Sequence, residues 1–208
     1  EGTLYKYEIR SREHGALLGK ADPYAHAAEL RPRTASKVCD LSRYPWHDQA
    51  WMAARSQWNP LSAPVSIYEV HLGSWMRIPE DGNRWLTYQE LAQTLIPYAK
   101  DLGYTHLELL PVNEHPLDAS WGYQPIGLFA PTRRHGDAQG FRRFGQELLR
   151  RRLSLPQRAL RGGERVDDAH DLVRGGVLEA DHLDVAVAAP VDALDDPHDA
   201  VHVRGAVR

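Results

Sequence analysis

No aromatic residue follows Phe144 in this chain of 208 residues. All six Trp, all nine Tyr and all three Phe lie at or before that position, and Ile, Lys, Asn, Met, Cys and Thr are also missing from residues 145–208. Phe, Tyr, Ile, Lys, Asn and Met share codons that begin with two A/U letters. A stretch that avoids all of them and is rich in Arg, Ala, Val, Asp, Gly and Leu is what G+C-rich DNA gives when read out of frame. Residues 145–208 are therefore expected to be a frameshifted or disordered tail. Cysteine is scarce as well. The lone Cys39 excludes an internal disulfide framework, suits a reducing cytoplasm, and reads as a small apolar side chain. No signal peptide and no run of ~18 apolar residues is present, so the expectation is a soluble protein with no membrane partner. The net charge of −3 lacks the basic footprint of a nucleic-acid binder. The chain opens on Glu1 instead of Met and begins mid-pattern, which predicts a piece of a longer protein.

The aromatic-bearing part carries ordered signals. Leu4 to Arg10 alternates, with Tyr5, Tyr7 and Ile9 on one face, and predicts a half-buried strand; Gly15 and Gly19 bracket a turn. Val38 to Pro60 reads as a linker. Val65 to Leu72 predicts a strand with Ile67, Glu69 and His71 on one face and Tyr68, Val70 and Leu72 on the other. Glu69 and His71 are then candidates for a buried polar pair of structural purpose. Gly73 to Arg84 reads as a loop. Thr87 and Glu90 form a capping box, Leu91, Leu95, Tyr98, Ala99 and Leu102 follow at helical spacing with Pro97 among them, and Gly103 ends the helix. A second strand, Thr105 to Leu110, completes a βαβ unit. Phe141, Phe144, Leu148 and Leu149 keep helical spacing to about Arg152.

The most informative stretch follows that second strand. Pro111 stops it, and a loop with Asn113, Glu114, His115 and Asp118 leads to Trp121, Gly122, Tyr123 and Gln124. A strand that ends in a polar, aromatic-rich loop is where α/β proteins place their chemistry. The run LELLPVNEHPLDASWGYQPIGLFAPTRRHGD, together with YEVHLGSW upstream, closely resembles the second strand and following loop of the 1,4-α-glucan branching enzymes of the α-amylase superfamily (glycoside hydrolase family 13).

That resemblance implies an α/β fold: the start of a (β/α)8 TIM barrel, preceded by the C-terminal end of a β-sandwich module of carbohydrate-binding type. KADPYA and RPRTAS resemble the closing strands of that module. The implied division is 1–58 for the module and linker, 59–144 for the first βαβ part of the barrel, and 145–208 for the tail. Tyr24, Trp46, Trp51 and Trp58 either stack on sugars or cover the joint between the two domains. The resemblance also implies α-1,4-glucan as substrate, cytoplasmic glycogen synthesis as setting, and no cofactor. Enzymes of this superfamily cleave an α-1,4 bond with retention, through an Asp nucleophile and a Glu acid/base. Those carboxylates follow later barrel strands that are not matched here, so no catalytic residue is assigned; Glu108, Glu114 and Asp118 are not their counterparts. Tyr123 matches the tyrosine that stacks under the glucose at the cleavage point, and Trp121 and Gln124 flank it as further substrate-binding candidates. Trp121 has loop packing as its alternative role, and His115 and Asp118 are expected to hold the loop. Two alternatives stay open: a non-catalytic glucan-binding fragment, and another superfamily member such as a debranching enzyme or a trehalohydrolase. His198 and His202, four apart beside Asp195, Asp196 and Asp199, have the spacing of a metal pair, but Pro197 argues against a helix there and no metal site is assigned.

Overall fold

The computed structural model describes residues 1–153, apart from residues 13, 56, 58, 60 and 61. Trp58, the tail beyond Leu153 and the pair His198 and His202 lie outside the described residues. The described residues form two compact units: Glu1–Asp40 with Asn113–Pro131, and Leu41–Val112 with 132–153.

The first unit is built on two antiparallel ribbons. Strand β1 (Leu4–Tyr5) and strand β2 (Tyr7–Arg10) pair with different partners. β2 pairs with β3 (Leu17–Lys20), from Tyr7 opposite Lys20 to Arg10 opposite Leu17. β1 pairs with β4 (Ser36–Lys37). The single strand expected over Leu4–Arg10 thus divides at Lys6, because each half finds its own ladder. Tyr5 and Tyr7 still meet edge to face at 6.0 Å, but Ile9 is 49% exposed, so the alternation did not translate into burial. Gly19 lies inside β3 opposite Glu8 and not in a turn; Gly15, at φ +68°, makes the turn, where its amide donates to Ser11 O at 3.0 Å. KADPYA forms a turn after β3, with Asp22 Oδ1 accepting from the Tyr24 amide at 2.9 Å. Of RPRTAS only Ser36 is in a strand.

The second unit holds the apolar core. The segment read as a linker contains helix α1 (Gln49–Arg55). Its start at Asp48 is buried, and Tyr44 stands edge-on to Trp46 at 4.9 Å. Strand β5 (Ile67–Val70) is followed at once by the short helix α2 (Leu72–Trp75). The expected buried pair does not form: Glu69 is exposed, and His71 turns its Nδ1 to Ser74 Oγ at 2.9 Å. The physical reason is that the strand ends at Val70, so His71 caps a helix start and no longer shares the pleat. The predicted loop 73–84 contains a small hairpin, β6 (Arg77–Ile78) with β7 (Arg84–Trp85). Gly82 and Asn83 turn it at φ +61° and +55°.

Helix α3 (Tyr88–Asp101) is fixed at both ends by its sequence. The Thr87 hydroxyl accepts from the Glu90 amide at 3.2 Å, and the Glu90 carboxylate accepts from the Thr87 amide at 2.7 Å. Arg84 adds a fork onto both Glu90 oxygens at 2.9 Å, which holds the Glu90 carboxyl well below its usual range, at about 2. At the other end the amides of Gly103 and Tyr104 donate to Lys100 O and Ala99 O, a Schellman close with Gly103 at φ +85°. Pro97 lies within the helix. Strand β8 (His106–Leu109) lies parallel to β5, in register from Ile67 opposite His106 to Val70 opposite Leu109. This is the predicted strand–helix–strand unit.

Leu91, Leu95, Ile96 and Ala99 bury fully in one cluster with Val70, Leu107 and Tyr88. Tyr98 and Leu102, expected on the same face, are 46% and 58% exposed. Tyr88 and Ile96 fill the core instead, which rotates the buried stripe by about one residue. Helix α4 (Ala138–Arg150) starts at Asp137, whose Oδ1 accepts from the Gly140 amide at 2.7 Å. Phe144, Leu148 and Leu153 enter the same core. The fold therefore does not stop at the compositional break after Phe144; residues 145–153, counted with the tail on composition, continue helix and core.

His135 is also buried, its Nδ1 donating to Leu86 O at 2.8 Å and its ring 5.5 Å from Tyr88. Burial, reinforced by Arg134, His71 and Arg77 and opposed by the Leu86 carbonyl, lowers its pKa to about 4. The unfolded chain binds this proton near pH 6.5 and the folded chain near 4, so stability is lost as pH falls through that window. About 3 kcal/mol is the order of the effect. The Glu90 contribution has the opposite origin and fades only below about pH 4.5. Denaturant titrations from pH 7 to 4 are expected to show this loss in the native chain and a flatter profile in His135→Gln; an equal slope in both would assign the loss to other groups.

Two leucines on α3 test the observed face. Leu91→Ala is expected to cost about 2–5 kcal/mol, as a fully buried truncation does, whereas Leu102→Ala stays within about 0.5 kcal/mol. Thermal or urea unfolding of the two variants checks this, and equal losses would restore the face read from the sequence.

Candidate functional site

Beyond β8 the chain passes Pro111 and Val112 and enters a long loop of the first unit. Two ends of that loop are stitched together through Glu114. Its amide donates to Ala130 O at 2.9 Å, and its carbonyl accepts from the Ile126 amide at 3.0 Å. Beside it, Asn113 bridges Pro131, and the Asn113 Nδ2 donates to Leu128 O at 2.6 Å. Glu114 and His115 are buried. His115 Nδ1 donates to Asn113 O at 2.9 Å, so this histidine holds the loop, as the sequence suggested. Asp118 meets Arg31 Nε at 2.5 Å. A buried backbone group costs stability unless bonded, and here side chains and turns satisfy what a strand ladder would have supplied.

The tip between these anchors is equally determined. A 3-10 turn over Asp118–Ser120 ends at Trp121, which sits in the left-handed region at φ +54°. Gly122 follows at φ +89° and is buried. The Tyr123 amide donates to Ser120 O at 2.9 Å. Two consecutive positive-φ residues reverse the chain, and the side chains on either side of the buried glycine emerge into solvent. Trp121 is 57% exposed and Tyr123 55%, and Gln124 is exposed beside them. What the arrangement offers is flat apolar ring area on a backbone held by buried hydrogen bonds, with an amide next to it.

Other candidates fall elsewhere. Trp46 lies against Tyr44 and Trp51 is on α1, both in the second unit. Arg133 and Arg134 are half-buried; Arg134 Nη1 donates to Thr132 Oγ1 at 3.0 Å. Among the described residues no group of three His, Cys, Asp or Glu is placed to hold a metal, and no helix is long and apolar enough to cross a membrane.

No family model matches the chain. Individual proteins do. It is 57% identical over 144 residues to the 1,4-alpha-glucan branching enzyme of Gloeobacter violaceus, a match that covers 69% of this chain and 20% of that protein. The 1,4-alpha-glucan branching enzyme of Roseobacter denitrificans is 49% identical over 185 residues, 88% of this chain and 25% of that protein. Over the matched residues the chain is similar to part of the 1,4-alpha-glucan branching enzymes. It spans about a fifth to a quarter of the length of these curated relatives. A match over 88% of the chain necessarily runs past Phe144, so in the Roseobacter relative the likeness reaches into the compositionally odd region. In structure, a putative alpha amylase from Salmonella typhimurium is similar at TM-score 0.54 and 25% identity, over 74% of this chain and 23% of that one. This agrees with a mixed α/β fold.

The branching-enzyme resemblance pointed to the aromatic tip; it did not supply the Glu114 stitch or the partnership of Arg31 with Asp118. Asn113 after a proline-stopped strand was the available signal, since a short polar side chain there can replace a ladder bond, whereas the Glu114 stitch is made by its main chain. Trp121→Gly tests whether the tip binds or packs. Glycine relieves the left-handed backbone, so stability is expected to hold within about 0.5 kcal/mol or to rise, while glucan affinity falls. Calorimetry and binding on the same samples check this, and a clear drop in the thermal midpoint would return Trp121 to a packing role.

Proposed function

We propose that the protein represented here is a 1,4-α-glucan branching enzyme, and that this chain supplies part of its sugar-binding floor. In the proposed reaction an Asp carboxylate attacks the anomeric carbon, the bond to O4 breaks, and a Glu gives O4 its proton. The 6-hydroxyl of another glucan then gives its proton to the same Glu and displaces the Asp, so one glycosidic bond replaces another and no co-reactant is consumed. Those carboxylates lie outside the matched positions. Tyr123 stacks under the glucose at the cleavage point, Trp121 and Gln124 complete the subsite, and the loop's stitched backbone positions all three before the sugar arrives. The single observation that carries this reading is the exposed trio Trp121, Tyr123 and Gln124 on a buried hydrogen-bonded anchor, within a sequence 57% identical to a branching enzyme.

The finer organisation belongs to the same proposal. Residues 1–58 are the end of a β-sandwich module with its linker and 59–144 begin a (β/α)8 barrel, with α4 and Leu153 continuing the same core beyond residue 144. The exposed face of β5, with Ile67 44% exposed, supports a barrel reading, since Tyr68 on its opposite face packs on α3 through Tyr98. The setting is cytoplasmic glycogen synthesis; the partner is α-1,4-glucan, without nucleic acid or membrane. The names of the matched relatives favour branching over debranching or trehalose release. As a separate molecule the 208-residue chain is a glucan binder without turnover.

In gels containing amylopectin, the chain is expected to be retarded, and Tyr123→Ala to lose about 1 kcal/mol of that affinity, roughly fivefold. Amylose incubated with the chain is expected to keep its iodine colour. Unretarded migration, or a colour change that tracks the purified protein, would contradict the reading.

A further inference from the structure

We propose that Tyr24 is a second α-glucan platform, distinct from Tyr123, on the first unit; the inference rests on the glucan reading above. Tyr24 is 55% exposed, yet the chain around it is fixed in unusual detail. Asp22 is the fulcrum. Its amide donates to Ser36 Oγ at 2.8 Å, its Oδ1 accepts from the Tyr24 amide at 2.9 Å, and its Oδ2 accepts from Tyr5 Oη at 2.6 Å. Ser36 is buried, and so is Ala25 directly after the tyrosine. The side chain between these fixed points is an aromatic ring left in solvent.

The same strap is joined to the loop that carries Tyr123. The Leu128 amide donates to Pro23 O at 2.7 Å. Gly127 lies so close that a Cβ there would stand 3.3 Å from Pro23 O and 3.4 Å from Asp22 O. Phe129 then backs the Tyr24 ring, stacked at 5.9 Å and 27°. One face of the tyrosine is therefore supported, and Leu128 beside it is 57% exposed. A supported ring loses little freedom on binding, and its open face suits the C–H face of a sugar. Phe129, whose ring is 5.9 Å from that of Tyr24, is six residues from Tyr123, at most ~21 Å of extended chain, so a glucan oligomer of several units is the ligand that could span both rings. The occupant is an α-1,4-glucan chain and not an isolated monosaccharide, because the second ring adds affinity only to a ligand that continues past the first.

The test is calorimetric titration of the full 208-residue chain with maltoheptaose, for the native protein and for Tyr24→Ala, Tyr24→Leu, Tyr24→Phe and Tyr123→Ala. Tyr24→Ala and Tyr24→Leu are expected to weaken binding about threefold to tenfold, and Tyr24→Phe to keep it, with thermal midpoints unchanged. Leucine retains apolar bulk over Phe129, so it covers the case in which alanine disturbs folding. Native-like affinity in Tyr24→Leu, alongside weaker binding in Tyr123→Ala, would overturn the Tyr24 platform and leave the glucan reading intact. A lower thermal midpoint with unchanged affinity in the Tyr24 variants would overturn it in favour of a packing role. A native chain that does not bind maltoheptaose would overturn both.

Discussion

The hydrogen bonds through Glu114 are the constraint from which the proposed sugar-binding surface follows. A long loop loses conformational entropy when ordered, and exposed aromatic rings at its tip return little of it by burial. The compensation lies at the base, where Glu114 bonds both Ala130 and Ile126 and Asn113 reaches Leu128. With the base closed, the turn over Asp118–Ser120 and the positive-φ pair Trp121 and Gly122 have few alternatives. Rings that are already placed bind a sugar without a further ordering cost, which is how preorganisation becomes affinity.

The second unit solves a different problem. Its strands are short, and α3 provides most of the apolar surface they need, through Leu91, Leu95, Ile96 and Ala99. Arg84, Asp81, Thr87 and Glu90 converge on the first turn of that helix. Exposed ion pairs contribute little singly; here one carboxylate serves as helix cap and as Arg84 partner together, so the hairpin β6–β7 and the helix start are ordered by one group. The core then extends to α4, where Phe141 packs on Tyr88 with ring centroids 5.2 Å apart.

Much of this was legible in the sequence where one residue type has one physical use. Thr87 with Glu90, Gly103 after the helix, and the aromatic tip around Gly122 each announce a local geometry. Reading failed where partners decide. Leu4–Arg10 alternates like one strand, but pairing with two different ribbons divides it. Gly73–Arg84 looks like loop because its two-residue strands are too short for a periodic signal. Leu102 has helical spacing and is still exposed, since Ile96 and Tyr88 fill the space it was assigned. The break after Phe144 is real in composition, yet Leu148 and Leu153 are apolar in the right places, and packing responds to that and not to codon usage. Among the proposed sugar-binding residues, Tyr123 is legible from family resemblance, while Tyr24 has two readings in sequence and is singled out only by the contacts of Asp22, Leu128 and Phe129 around it.

The central claim is that the loop is ordered before sugar binds. Hydrogen exchange of the full chain, resolved to the amides of Glu114, Ile126 and Leu128 with and without maltoheptaose, tests it most directly. The account expects these three amides to be strongly protected in the free chain and little changed by the sugar, because Glu114 and Ile126 are bonded within the closed base and Leu128 is bonded to Pro23. Free exchange at all three without maltoheptaose, with protection appearing only on its addition, would show that the ligand builds the loop, and would contradict the account.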